Sequence, residues 1–188
     1  MVIDSRSPAR FVQLRATPSI FNSNTGHINK HYYLKGKFQM EKTRVLAEFR
    51  DKFRVKELLI FETSAWSWSV RPMQSTLGAS VISLNRQAAN FSEVSAVEMA
   101  DFANMVVKLE SALKKAFGHD RINYLMLMMV DHHVHFHVIP RYADERQFAG
   151  LEWKDSGWPS LPAVTESQHR NSVLPLIRDA LKAAAESS

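Results

Sequence analysis

The segment Asp131-His132-His133-Val134-His135-Phe136-His137-Val138-Ile139-Pro140-Arg141-Tyr142 constrains this chain more than any other, because four of its eight histidines fall there in a run with apolar partners. Successive side chains of a strand face opposite sides, so His133, His135 and His137 share one face. Val134, Phe136 and Val138 take the other face and anchor the strand to a core. His132 has the apolar parity but stands at a turn, where it can escape to solvent.

The surroundings read as α+β. Val45, Phe49 and Phe53, with Leu46 beside them, form an apolar stripe on a short helix. Leu58–Phe61 is an apolar run fit for a strand, and Trp66-Ser67-Trp68-Ser69-Val70 alternates as a half-buried strand with both indoles on one face. Pro72 and Gly78 bracket a turn before a strand over Ser80–Leu84. Ser95-Ala96-Val97-Glu98 has capping-box spacing. Phe102, Met105, Val106, Leu109, Ala112 and Leu113 continue a helical stripe to Lys114, Lys115 and a stop at Gly118. That helix is on the order of 30 Å long, enough to cover one face of a sheet. Residues 122–130 and 133–139 read as two strands divided only at Asp131-His132, hence as a hairpin with antiparallel pairing. A last helix is expected over Ser172–Ala185. The expected architecture is an antiparallel five-stranded sheet packed by the long central helix, with further N- and C-terminal helices.

Charge is unevenly distributed. The 188 residues carry a formal net charge of +5, yet residues 1–39 hold six basic side chains (Arg6, Arg10, Arg15, Lys30, Lys35, Lys37) against Asp4 alone. Residues 40–188 are left with 18 basic and 18 acidic residues, a net charge of zero. Residues 1–39 therefore read as a basic, flexible extension and 40–188 as the domain. The extension is first a tail or a translated stretch upstream of a start at Met40, and after these an organellar presequence. A basic pI here is weak evidence for nucleic acid. No apolar run spans a membrane and no signal peptide opens the chain. With no cysteine there is no disulfide, thiol nucleophile or cysteine-built zinc site. The cytoplasm is the expected location.

Three readings of the histidine face compete. It could be solvated and without a task, although three imidazoles in strict alternation opposite an apolar face argue against that. It could bind metal, since imidazole is the commonest metal ligand. The His133 and His137 Cα atoms would stand about 13 Å apart on a regular strand, however, too far for all three to serve one ion bound at about 2 Å. The leading reading is nucleophilic chemistry at phosphorus. A neutral imidazole can attack with one nitrogen while a carbonyl holds the proton on the other, and flanking imidazoles can donate to the charge on phosphoryl oxygens. No cofactor is required.

His133-Val134-His135-Phe136-His137-Val138-Ile139 resembles His-φ-His-φ-His-φ-φ, the signature of the histidine triad (HIT) superfamily of nucleotide hydrolases and transferases. Pro140-Arg141 continues the likeness. Leu77-Gly78 before a strand ending at Asn85-Arg86, the capped helix and Arg121-Ile122-Asn123-Tyr124 extend it over about residues 55–160. The resemblance implies metal-independent hydrolysis or transfer of a nucleotidyl group from a small purine nucleotide. His135 would be the nucleophile, His133 would orient it through its backbone carbonyl, and His137 would contact phosphate. It also implies a nucleotidyl-histidine intermediate and a homodimer, with a small nucleotide rather than nucleic acid or a membrane as partner. The chain departs from the family pattern in two places. Ala79 stands where members often carry a fourth histidine, and Met128-Met129-Val130-Asp131 replaces a polar phosphate-binding stretch. These departures motivate the alternative of a non-catalytic nucleotide-binding module, with a metal-binding protein third.

Candidate substrate contacts are Arg71 and Gln74, with Ser75 and Thr76, in the turn before Gly78, then Asn123 and Arg141. Ordinary turn or strand-end chemistry competes for each. Met126, Met128 and Met129 read as core filling, and Trp153 and Trp158 as packing residues. Arg146, like Arg141, is a plausible phosphate partner, with ordinary solvation as the competing reading, whereas His27, His31, His119 and His169 join no constellation.

Overall fold

The computed structural model describes residues 23–165, 167–169 and 171–187, with side chains from residue 33 onward. Contacts divide the chain into two units, Met1–Lys37 and Phe38–Ser188. Residues 1–22, including Arg6, Arg10 and Arg15 of the expected extension, lie outside the described residues.

Helix α1 runs Ser23–Lys52, longer than the stripe predicts. Residues 33–40 are all exposed, and an exposed helix leaves no 3.6-residue hydrophobic period to read. Its stripe begins only at Val45 and Leu46 and culminates in the buried Phe49, followed by Phe53 just past the helix end.

Strands β1 (Leu59–Glu62), β2 (Trp66–Val70), β3 (Ser80–Leu84), β4 (Arg121–Leu125) and β5 (His135–Arg141) form one antiparallel sheet in the order β1-β2-β3-β5-β4. The expected five-stranded α+β sheet is thus present. A separate hairpin pairs β6 (Arg146–Phe148) with β7 (Leu151–Trp153). Helix α2 spans Ala96–Phe117, and α3 spans Leu174–Glu186.

The capping box reads true. Ser95 Oγ accepts from the Glu98 amide, the Glu98 carboxylate accepts from the Ser95 amide, and Gly118 closes the helix in the left-handed region at φ 66°. Met105, Leu109, Ala112, Leu113 and Phe117 form the buried stripe of α2. With α3 they cover one sheet face, where Trp66, Trp68, Val70, Ile82, Leu84, Val134 and Val138 make the main core.

The opposite face carries the polar parity. Register places Glu62, Ser67, Ser83 and His135 in one row, and Ser69, Val81 and His137 in the next. A half-buried β2 is expected from its alternation, but every residue of β2 is buried. The end of α1 explains this: Phe49, Phe53 and Val55 form a second small core with Val81 over that face.

The hairpin expectation is right in direction and wrong in length. β4 ends at Leu125 and β5 starts at His135, with residues 126–134 a loop between them. The amide of Val134 binds Ala88 O, while Val134 O accepts from Leu84, so the chain before β5 pairs back toward β3 instead of β4. Met126 and Met128 pack on the core as expected, whereas Met129 is 89% exposed.

Candidate active site

The three imidazoles meet although only two of them lie in the strand. His133 stands in the bend before β5, yet all three rings are buried under α1. The Phe49 ring lies 4.8 Å from that of His133 and 5.0 Å from that of His135. Phe53 lies 5.7 Å from His135 and 5.8 Å from His137. The spacing of Phe49 and Phe53 identifies an apolar stripe, but nothing in the sequence says that the stripe covers the histidines.

The hydrogen bonds fix the protons. His135 Nδ1 lies 2.7 Å from His133 O, and His133 Nε2 lies 2.9 Å from Leu84 O. A carbonyl only accepts, so each of these nitrogens carries hydrogen and donates it. The lone pair of His135 is thereby left on Nε2, 3.3 Å from His137 Nε2, with the two rings almost perpendicular at 88°. His137 Nε2 is then the donor of that pair, and its Nδ1 is buried without a partner among the described residues.

Burial keeps the cluster neutral. It lowers the His133 pKa to about 4 and that of His137 to about 3, and it lowers that of His135 as well. The neighbouring carboxylate, Asp131, pulls His135 and His137 the other way but does not prevail. Its charge is engaged by Lys52 Nζ, 2.7 and 2.8 Å from its two oxygens. Among the described residues no three His, Cys, Asp or Glu side chains gather as a metal site.

The expected substrate contacts separate into two groups. Arg71 lines a cavity of about 450 Å³ together with His137, Lys52 and Asp131. Gln74 is spent on its own turn: Nε2 donates to Arg71 O and Ala79 O, both at 2.6 Å, while Oε1 accepts from the Gly78 amide. Thr76 Oγ1 donates to Pro140 O, tying that turn to β5. Asn123 and Arg141 bind each other at 2.7 Å, and Arg141 forms a buried ion pair with Asp155 at 2.6 Å. Four residues of strand, about 13 Å, separate Arg141 from His137. The structure therefore brings Arg71 to the triad and commits Gln74, Asn123 and Arg141 elsewhere. Trp153 is buried against His169, as its packing role requires, and Trp158 faces the Arg141 guanidinium. Ala79 is wholly buried.

Among the described residues no helix is long and apolar enough to cross a membrane. A comparison with curated proteins gives no match. Residues 75–144 match the family model of the HIT domain. The fold is similar to that of a hypothetical histidine triad nucleotide-binding protein from Sulfolobus tokodaii, with TM-score 0.55, 16% identity, and coverage of 69% of this chain and 84% of that one. It is also similar to a histidine triad protein from Sinorhizobium meliloti, with TM-score 0.55, 15% identity, and 70% and 93% covered. The diadenosine triphosphate hydrolase of Plasmodium falciparum, solved in complex with cyclomarin A, gives TM-score 0.53 at 11% identity, with 71% and 79% covered. At such identities these likenesses speak for the fold, while the matched segment contains the triad itself. Residues 75–144, which contain the triad, thus match the HIT domain, and the fold is that of histidine triad proteins.

Proposed function

We propose that the protein hydrolyses or transfers the nucleotidyl group of a small purine nucleotide through a nucleotidyl-histidine on His135. The observation that carries this reading is the pair of contacts on one ring: His135 Nδ1 bound to His133 O, and the lone pair of Nε2 held toward His137 Nε2. The lone pair attacks the α-phosphorus, an N–P bond forms, and the bond to the leaving group breaks with its electron pair. His137 Nε2–H turns from His135 to a phosphoryl oxygen and stabilises the charge there. Water then attacks phosphorus, restores the imidazole and releases the nucleoside monophosphate. His133 acts through its carbonyl, its own ring being anchored on Leu84 O. A homodimer with a small nucleotide as its ligand belongs to the same proposal.

The experiment is incubation with an α-labelled nucleotide or an adenosine phosphoramidate. Turnover is expected in the presence of EDTA, and His135→Ala should lower it by about 10³-fold or more, as loss of a covalent nucleophile does. Turnover that survives His135→Ala, or that EDTA abolishes, sinks the mechanism. A non-catalytic nucleotide-binding module is the second reading. It is favoured by the buried Ala79 and by the complete burial of His135 under Phe49 and Phe53. Tight nucleotide binding without turnover across a panel of substrates would select it.

A further inference from the structure

The nucleophile is closed in. His135 is wholly buried, His137 is 6% exposed, and the Phe49 and Phe53 rings lie over them. An α-phosphorus has to come within about 3–3.5 Å of His135 Nε2 for attack, and a wholly buried ring leaves it no path without a movement. The sheet beneath is fixed by the main core with α2 and α3. The cover above rests on a far smaller core, Phe49, Phe53, Val55 and Val81. The rest of its hold is polar. Lys42 Nζ lies 3.9 Å from a Glu93 oxygen, Arg50 Nη2 donates to Asn85 O at 2.9 Å, and Lys52 pairs with Asp131 at 2.7 Å. The turn that follows α1 is strained at one point. Val55 N donates to Arg50 O and Arg54 N to Asp51 O, a helix-ending motif whose left-handed residue is ordinarily glycine. Here that residue is Arg54, at φ 51°, a conformation that a side chain adopts at a cost.

We infer that the end of α1, from Lys42 to Phe53, is an autoinhibitory lid over the histidines, latched by the Lys52–Asp131 pair and hinged at Arg54. Its regulatory meaning rests on the reading of His135 as nucleophile. When the lid opens, Arg54 returns to an ordinary backbone conformation, the two phenylalanine rings leave the imidazoles, and Nε2 faces the substrate. When it closes, the triad is sealed from water. Only the open form admits a nucleotide, so the apparent affinity is the intrinsic one scaled by the open fraction. Whatever holds or releases the latch therefore sets the activity of the site. The burial that speaks for a non-catalytic module is, in this arrangement, the resting state of an enzyme.

Diethyl pyrocarbonate, which acylates a neutral imidazole only where it can reach it, reads the lid on the full chain without any substrate. Site-resolved mass spectrometry compares His135 with two internal controls, the exposed His132 and His119, which is buried just past the end of α2. In the wild type His135 should react at least about tenfold more slowly than His132, as an open form populated at about a tenth or less gives. The Lys52 side chain is 51% exposed, so Lys52→Ala does not put folding at stake. It should raise His135 labelling about two- to fivefold, the scale on which an exposed ion pair biases an equilibrium, and leave His119 unchanged. The opposite change comes from tying the lid down. The chain has no cysteine, so Lys42→Cys with Glu93→Cys can be bridged by a bifunctional thiol reagent at a contact outside the histidine cavity. His135 labelling should then fall below that of the wild type, and turnover should be lost. A wild-type His135 that reacts as fast as His132 overturns the lid, and so does labelling that neither the substitution nor the bridge moves. Labelling of His119 that rises in step with His135 reports unfolding of the whole domain and overturns it too, as does turnover that survives the bridge. If labelling follows both changes while no nucleotide is turned over, the lid stands and the nucleotidyl-transfer reading fails.

Discussion

Three imidazoles packed against two phenylalanine rings, with their one nearby carboxylate already engaged by Lys52, set how this protein responds to acid. His133 and His137 titrate near 4 and 3 when folded, against an ordinary value of about 6.5 when unfolded. The unfolded chain therefore binds more protons across that interval. The stability contributed by the neutral cluster is complete above pH about 6.5 and is lost as pH falls toward 3. Denaturation midpoints should drop on acidification from pH 7 to 4.5, and a His133→Phe variant should show a shallower drop. Equal slopes would contradict the assignment. In the same way, activity through His135 should hold its plateau below the ordinary histidine pKa, because burial keeps the nucleophile unprotonated there. The alternation of His133, His135 and His137 was legible from the sequence, as was their common face. Their burial was not, because it depends on a helix eighty residues away in the chain.

Among the elements, those governed by local rules are the ones the sequence predicts best. α2 begins at its capping box and ends at its left-handed glycine, and β2 and β3 occupy the expected residues, because capping, 3.6-residue stripes and two-residue alternation are short-range. The boundaries of β4 and β5 depend instead on competition between partners. Residues 126–134 are apolar enough for strand, but His133 and Val134 pair through other contacts and Asp131 is held by Lys52. The turn before β3 is equally specific. Gly78 has φ 79°, and a Cβ there would lie 2.8 Å from Phe117 and 3.0 Å from Leu113. Gly78→Ala should therefore cost about 1–3 kcal/mol through strain and overpacking. Thermal or urea unfolding checks it, and a loss below about 0.3 kcal/mol would contradict the geometry.

At the scale of the whole folded unit, the sheet has two cores of different character. The larger is hydrophobic and lies under α2 and α3; the smaller sits over the histidine face and is sealed by the end of α1. A buried polar knot ties the far end of β5 to the segment after β7. Arg141 binds Asp155 and Asn123, and Asp155 also accepts from the Tyr142 amide. Removing one charge leaves the other buried and unpaired. Asp155→Ala should cost about 3–5 kcal/mol in chemical denaturation, and Asp155→Ala with Arg141→Met should recover part of it. A double variant no better than the single would refute the pairing argument. Arg141 and Asn123 were read from the sequence as candidate substrate contacts, because an arginine and an asparagine at strand ends look alike whether they face a ligand or each other. Only the arrival of Asp155 from a later loop distinguishes the two.

Read alone, the chain specifies the strand with two unlike faces, the capped helix that covers its apolar side, the antiparallel α+β arrangement and the three histidines of one parity. These follow from periodicity, capping and the chemistry of imidazole, all of which are encoded within a few residues. Contacts between distant segments settle that Phe49 and Phe53 bury the triad, that Gln74, Asn123 and Arg141 are spent inside the protein, and that Arg71 comes beside His137. Those are questions of which distant group satisfies which, and burial and pairing are settled between segments far apart in the chain.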